Sequence, residues 1–176
     1  MLGGSLLKIC LTINSSPWSV FKGGGQLAVH HLSCALSAKG HDVHVLYSKH
    51  PDEKIQVAVP YQLHWAQHHD FATVNLNIFS YPKVLAPLAR KEKFDVIHGN
   101  AEEAFGIGNI AARTKAAYVF TSHAPYIPNK GMLEGMLHPI QFLKSVNTYL
   151  LRQAMMQADR IVAFSQFSRD LIVKGL

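Results

Sequence analysis

The sequence has little charge and little cysteine, and the signatures of several common protein classes are missing from it. Charged residues make up 16% of the 176 residues and hydrophobic residues 48%, which excludes a disordered chain. The net charge of +6 is not gathered into a block of like charges, so nothing resembles a basic tail for nucleic acid. We therefore expect a folded globular chain with no nucleic-acid partner.

Other absences narrow the class of protein further. The two cysteines, Cys10 and Cys34, lie in apolar segments without CxxC spacing, which is typical of buried side chains in a reducing compartment. No apolar run is long enough to span a membrane. Neither G-x-S-x-G nor G-x-x-x-x-G-K-[ST] occurs, which argues against an α/β-hydrolase and a P-loop enzyme. We expect a cytoplasmic protein, and its mild basic excess is compatible with an anionic substrate or with peripheral contact at the inner face of a membrane.

What the sequence does contain is a regular alternation of strand-like and helix-like segments. Short runs rich in Val, Ile and Leu predict strands over 6–13, 42–47, 57–65, 94–98, 117–122 and 160–164. Apolar residues at helical spacing predict helices over 23–39, 81–91, 102–114, 139–157 and 166–174. This alternation predicts an α/β fold with a doubly wound, mostly parallel Rossmann-like sheet, in a single domain over residues 1–176.

The candidate site residues follow the predicted strands. Ligands of such sheets bind beyond the carboxyl ends of the strands, near the point where the strand order reverses. The segments to consider are residues 14–25, 48–50, 98–100 and 122–126, together with Ser165. His123 is followed by Ala-Pro, which keeps the chain extended and the imidazole near the edge of the sheet. A histidine there can hydrogen-bond a phosphate or a sugar hydroxyl.

A glycine cluster opens the first predicted helix and matches G-x-G-x-x-A literally from Gly23 to Ala28. Glycines at a helix N-terminus let backbone N–H groups approach a phosphate, and the helix dipole adds attraction. Two features argue against NAD binding: the strand ends at residue 13, well before the glycines, and Ser48 and Lys49 stand where an acid would bind the ribose. A tight turn with no ligand is the alternative explanation of the glycines.

The other histidines indicate chemistry less strongly. Four potential metal ligands follow or end the third predicted strand: His64, His68, His69 and Asp70. Nothing else in that polar connection fixes a coordination geometry, so we expect a solvated loop and no metal. The histidines of the first helix and second strand that we expect to be structural are His30, His31, His41 and His44.

Four segments in chain order resemble the N-terminal domain of group-1, or family-4, glycosyltransferases of the two-domain GT-B type. They are the glycine cluster with its helix and GHDVHVLY (40–47), FDVIHGN (94–100), VFTSH (119–123) and ADRIVAFS (158–165). Each motif is weak alone, but together they cover nearly the whole chain at the predicted element boundaries. The chain is therefore similar to one half of a GT-B fold.

The resemblance implies the acceptor-binding domain of a retaining glycosyltransferase. Such an enzyme transfers a sugar from a nucleotide-sugar donor to a glycan, lipid or small-molecule acceptor. The resemblance also implies that the C-terminal domain that binds the nucleotide sugar lies outside this chain, and that the chain alone is inactive. Neither a cofactor nor a metal is implied, because the nucleotide sugar is a substrate.

The same resemblance implies roles for individual residues. Gly24 and Gly25 would face the donor diphosphate, and His123 would lie near the donor sugar and support the transition state. The residues that would contact the acceptor are Asn100, Ser122, Tyr126 and Ser165. Catalysis would depend on positioning and on stabilising charge at the leaving phosphate.

Two alternatives from other classes stay open at the level of sequence. One is a stand-alone module that binds a sugar or an anion at the same strand ends without catalysis. The other is a small Rossmann oxidoreductase. Two features argue against it: the glycines lie too far after the first strand, and no acid follows the second strand. The downstream coding sequence distinguishes the stand-alone module from a glycosyltransferase. A second βα-repeating region with paired glutamates would indicate a glycosyltransferase, whereas an immediate stop codon would favour the module.

Overall fold

The computed structural model describes residues 5–20, 22–68, 70–71, 74–75, 77–100, 102–123 and 139–176. Its strands are β1 (Lys8–Ile13), β2 (Asp42–Lys49), β3 (Gln62–Gln67), β4 (Asp70–Phe71), β5 (Val74–Asn75), β6 (Val96–Asn100), β7 (Ala117–Ser122) and β8 (Arg160–Ala163). Its helices are α1 (Gly24–Ala38), α2 (Asn77–Glu92), α3 (Ile107–Thr114), α4 (Pro139–Met156) and α5 (Gln166–Gly175), with a 3-10 turn over Glu102–Ala104. The order confirms the predicted alternation of strands and helices.

Within the described residues, six strands form one parallel sheet in the order β3-β2-β1-β6-β7-β8. The strands β4 and β5 form a separate antiparallel pair. The chain builds the sheet outward from β1 to β3, returns to its middle at β6, and then builds outward on the other side. The strand order therefore reverses between β1 and β6, and ligands bind at such a reversal in open α/β sheets.

Alternate residues of the central strands face two apolar clusters, one on each side of the sheet. Leu11 of β1 belongs to the same cluster as Val29 of α1, whereas Cys10 belongs to the cluster that contains Leu85 of α2. Because β1 is buried on both faces, its sequence reads as a nearly continuous apolar run. The helices on both faces confirm the doubly wound Rossmann-like fold. Of the two predicted buried thiols, Cys10 is buried, but Cys34 is only partly so, because it lies on the half-buried face of α1.

The predicted start of the third strand is wrong. The strand begins at Gln62 instead of residue 57, and residues 53–59 have no regular structure. Pro60 stands between the apolar run and the true strand, and proline cannot donate a hydrogen bond to a ladder. The strand therefore starts later than predicted and continues to Gln67.

Two predicted helix starts are also wrong. The helix α2 begins at Asn77 instead of residue 81 and continues through two internal prolines. Tyr81, Leu85 and Ala89 are fully buried at a spacing of four residues, so packing of one apolar face outweighs the lost backbone hydrogen bonds. In the segment predicted as one helix over 102–114, Gly106 has a φ of 79°, which separates the 3-10 turn from α3.

Candidate functional site

The first turn of α1 follows the loop after β1, beside the reversal of strand order. Gly23 is the extended N-cap residue, and Oε1 of Gln26 accepts a hydrogen bond from its N–H at 2.9 Å. Nε2 of Gln26 donates to the carbonyl oxygen of Asn14 at 2.9 Å, which ties the helix start to the end of β1. No acidic residue occupies this turn, and the first N–H groups of a helix have no partner within it. The turn can therefore bind an anion through N–H donors and the positive end of the helix dipole.

The two glycines of this turn differ in what surrounds them. A Cβ atom on Gly24 would meet none of the described residues within 4 Å, so packing against that part of the chain does not require glycine there. A Cβ atom on Gly25 would lie 3.2 Å from Cγ and 3.3 Å from Nδ1 of His123, and 3.3 Å from Cδ1 of Ile13. Gly25 is therefore the point where the helix approaches His123.

The imidazole of His123 is fixed by Asn100 at the end of the neighbouring strand. Nε2 of His123 lies 2.6 Å from Oδ1 of Asn100, and Nδ2 of Asn100 donates to the carbonyl oxygen of Thr12 at 2.8 Å. Because the amide nitrogen faces that carbonyl, its oxygen faces the ring, and Nε2 of His123 must carry a proton. Among the described residues none hydrogen-bonds Nδ1, which lies near Gly25. Burial lowers the pKa of His123, so the ring is neutral near pH 7.

Two further side chains interact with His123, one by a ring contact and one by charge. The ring of Phe164, which follows β8, lies with its centroid 5.1 Å from that of His123, and 61% of Phe164 is exposed. Nε2 of His98 lies 2.6 Å from Oγ1 of Thr121, and burial lowers the pKa of His98 to about 4, with His123 adding to the effect. Both imidazoles are neutral near pH 7, so an anion bound here is attracted first by the helix end.

The residues predicted to contact the acceptor lie in different surroundings. Asn100 is 1% exposed, and its amide is occupied by Thr12 and His123. Ser122 ends β7 and is buried, and Tyr126 lies outside the described residues. The acceptor roles of Asn100, Ser122 and Tyr126 stay predictions.

Ser165 is an exposed N-cap at the start of α5. Its Oγ accepts a hydrogen bond from the N–H of Ser168 at 3.1 Å and lies 3.0 Å from the hydroxyl of Ser168. A cap of this kind satisfies one of the free N–H groups at a helix start. The hydroxyl therefore has a structural task, and its predicted contact with the acceptor is untested.

Of the histidines that we expected in a solvated loop, His64 and His68 contact other side chains, and His69 lies outside the described residues. His64 lies inside β3, and its Nε2 is 2.9 Å from Nδ1 of His44 in β2, with the two rings stacked. Nδ1 of His68 lies 3.0 Å from Oγ of Ser48. The solvated-loop prediction is wrong for His64, because this residue lies inside the strand that pairs with β2. Within the described ranges, no group of three or more His, Cys, Asp or Glu residues could hold a metal ion.

Sequence reasoning missed two features of this site. The first is Gln26, which joins the helix start to Asn14; its position three residues after the N-cap is the pattern that could have shown it. The second is the orientation of His123 by Asn100, which depends on the pairing of β6 with β7. No local sequence pattern indicates that contact, because it joins the ends of two strands that α3 separates along the chain.

The fold and the site define a Rossmann-like domain in which a helix N-terminus suited to an anion lies against a neutral histidine. The chain belongs to Glycosyltransferase Family 4, whose family model matches residues 22–176. This confirms the resemblance seen in the four sequence motifs. No curated protein sequence matches the chain. None of the helices in the described part of the chain is long and apolar enough to cross a membrane.

Solved structures share this fold at low sequence identity. Sucrose-phosphate synthase from Thermosynechococcus elongatus matches with a TM-score of 0.68 and 16% identity, over 96% of this chain and 45% of that chain. Anabaena HepE in complex with UDP and glucose matches with a TM-score of 0.56 and 15% identity, over 96% and 41%. UDP-GlcNAc 2-epimerase from Methanocaldococcus jannaschii matches with a TM-score of 0.56 and 9% identity, over 96% and 42%. This chain thus spans less than half the length of these structures, and identities this low show the fold alone.

Proposed function

We propose that this chain is the acceptor-side domain of a retaining glycosyltransferase that uses a nucleotide-sugar donor and a glycan, lipid or small-molecule acceptor. One observation carries the proposal: the glycine-rich start of α1 lies against His123, whose ring Asn100 holds in one orientation. Family membership supports a glycosyltransferase, whereas the fold is also that of an epimerase and does not select between the two.

Gly24 and Gly25 would face the donor diphosphate. No described residue fills the space above Gly24, so a phosphate can reach the N–H groups of the turn there, whereas a side chain would occupy that space. The diphosphate would gain from the helix dipole as its bond to the sugar breaks and charge develops on the leaving oxygen. We place most of the nucleotide contacts on a second domain outside this chain.

His123 would lie beside the donor sugar and support the transition state. With Nε2–H donated to Asn100, the neutral ring offers Nδ1 as an acceptor for a sugar hydroxyl. Such a contact would hold the sugar so that an acceptor oxygen can bond to its anomeric carbon while the bond to phosphate breaks. The acceptor hydroxyl gives its proton to the leaving phosphate oxygen in the same exchange.

The proposed reaction requires no cofactor and no metal, since the nucleotide sugar is itself a substrate. We place the enzyme in the cytoplasm, with peripheral contact at the inner face of the membrane when the acceptor is a lipid. The free thiols of Cys10 and Cys34 support a reducing compartment.

A transfer assay tests the proposal. A protein that carries this chain with the coding sequence that follows it is given UDP-glucose or GDP-mannose and a set of acceptors. We expect transfer with retained anomeric configuration, read by NMR of the product, and no transfer by the 176-residue chain alone. Transfer by the pure chain would contradict the acceptor-side assignment. Sugar binding without transfer by either protein would favour the stand-alone binding module.

A further inference from the structure

A groove opens at the carboxyl ends of β2 and β3, on the side of the sheet away from β7. Its volume is about 350 Å³, and its lining residues are Lys49, His50, Pro51, Trp65, Ala66 and Gln67. Ligand sites of small molecules begin at about this size and join apolar walls to a few polar groups. The groove lies at the same edge of the sheet as His123, which is the edge where this fold class binds ligands.

The wall of the groove combines the aromatic face of Trp65 with the positive charge of Lys49. Nζ of Lys49 lies 5.3 Å from the centroid of the Trp65 ring, and no ion pair joins Lys49 to a carboxylate in the part of the chain that is described. Glu53, on the loop after β2, already accepts hydrogen bonds from the hydroxyl of Ser19 and the N–H of His50. Within the described residues, the ammonium group of Lys49 is therefore available for an anionic ligand.

The distance between the groove and His123 limits what can occupy both. The groove lies at the ends of β2 and β3 and the ring of His123 at the ends of β6 and β7, so two to four strand spacings separate them, or about 10–19 Å at about 4.8 Å for each spacing. A single sugar ring is shorter than this. An acceptor that reaches the groove while its reacting hydroxyl lies near His123 must therefore be an extended chain.

We propose that the groove is a distal acceptor subsite that binds an acidic sugar of an oligosaccharide. The inference rests on the proposed function, because it takes His123 as the point of transfer. Sugar rings stack their C–H groups on indole faces, and here Lys49 covers the face of Trp65. A ring that stacks there displaces the ammonium group, and a carboxylate or sulfate on that ring gives the ammonium a new partner. A neutral sugar offers no such partner, so the groove selects acidic sugars.

Fluorescence can test the subsite directly, because the chain has two tryptophans and Trp18→Phe leaves Trp65 as its only indole. The probes are tetragalacturonic acid, its neutral methyl ester, a chondroitin sulfate tetrasaccharide and maltotetraose. We expect a saturable change in Trp65 emission with at least one acidic tetrasaccharide. We expect binding at least tenfold weaker for the neutral probes. If neither acidic probe binds saturably, the proposal is overturned.

A matched pair of lysine variants separates the groove from general surface charge. Lys49→Gln should weaken binding of the acidic probe at least tenfold and leave the methyl ester unaffected, whereas Lys54→Gln, at an exposed position on the adjacent loop, should change neither more than twofold. Equal effects of the two variants would overturn the proposal. Transfer without probe binding would refute the subsite and leave the proposed function standing. Probe binding, together with no transfer by the longer protein, would support a sugar site in the groove and refute the proposed function.

Discussion

Two histidines of this sheet are each held by a side-chain partner, yet they differ in what their second nitrogen faces. His44 is fully buried in β2, with Nδ1 at 2.9 Å from His64 and Nε2 at 3.3 Å from Oδ1 of Asp42. His123 uses Nε2 for Asn100, and its Nδ1 lies beside Gly25 at a helix N-terminus. Nε2 of the first histidine is buried beside a carboxylate, whereas no group among the described residues hydrogen-bonds Nδ1 of the second. Whether a histidine of this fold can bind a ligand is therefore better predicted from what its second ring nitrogen faces than from how deeply the ring is buried.

The largest expected effect separates the two histidines by activity. In a transfer-competent protein that carries this chain, His123→Ala should lower kcat by about 10²–10³-fold, because it removes a polar group beside the reacting sugar. His64→Gln, which alters the enclosed pair, should leave kcat within about twofold while lowering stability. Initial rates and thermal unfolding of both variants give the comparison. Equal loss of activity in both variants would contradict the assignment of His123 to the site.

The next effect tests whether Asn100 controls the protonation of His123. Asn100→Asp places a carboxylate at Nε2 and should raise the pKa of His123 by more than about 1, since an adjacent negative charge favours imidazolium. Histidine NMR across a pH titration measures the change. Asn109→Asp, on the exposed face of α3, is the control and should leave that pKa unchanged. An unaltered pKa in Asn100→Asp would show that the hydrogen bond does not govern the ring.

A third effect concerns stability in acid and arises from the enclosed pair. Burial lowers the pKa of both His44 and His64 below the ordinary value of about 6.5. Below that pH the unfolded chain takes up protons that the folded chain does not, so stability is complete above about pH 6.5 and falls as the pH drops toward the lowered values. A histidine whose pKa is lower by 1 in the folded chain than in the unfolded chain changes the free energy of unfolding by about 1.4 kcal/mol.

Urea unfolding at pH 7.5 and pH 5 measures this dependence. We expect the wild-type chain to lose about 1–3 kcal/mol between the two values, and His64→Gln to lose less because one titrating ring is gone. His98, whose pKa burial lowers to about 4, adds to the loss in both proteins. Identical losses in wild type and His64→Gln would show that the His44–His64 pair does not cause the acid sensitivity.

The smallest expected effect tests the two roles of Ser165. Ser165→Ala removes the acceptor for the N–H of Ser168 and should cost about 1 kcal/mol of stability. If Ser165 only caps the helix and does not contact the substrate, the KM for the acceptor should be unchanged. If KM rises several-fold instead, the sequence-based prediction of an acceptor contact is supported.

The sequence was most informative where burial imposes a simple pattern. The strands β1, β6 and β7 lie inside the sheet, so their apolar runs predicted the strands and the residues that follow them. Because the carboxyl ends of parallel strands meet at one edge, the proximity of His123 to Asn100 and the glycine helix followed from the topology. These residues were named from the sequence, and the structure brings them together.

The sequence was least informative where two strands must be aligned with each other. The contact of His44 with His64 depends on the register in which β3 pairs with β2, with Leu46 opposite His64. The edge strand β3 is only partly buried, so its apolar pattern is weak and its start was misplaced. The tautomer of His123 likewise depends on the orientation of the Asn100 amide, which the carbonyl of Thr12 in another strand fixes.

The most direct test of the central claim is the affinity of Gly24→Ala for the donor. Calorimetric titration with UDP-glucose and GDP-mannose compares this variant with the wild type in the transfer-competent protein. An added methyl group meets none of the residues that the structure describes, and alanine favours a helix more than glycine does, so stability should be unchanged or higher. We predict donor binding at least tenfold weaker, because the methyl group takes the space that the phosphate requires. Unchanged donor affinity in a stably folded Gly24→Ala protein would contradict a phosphate site at the start of α1.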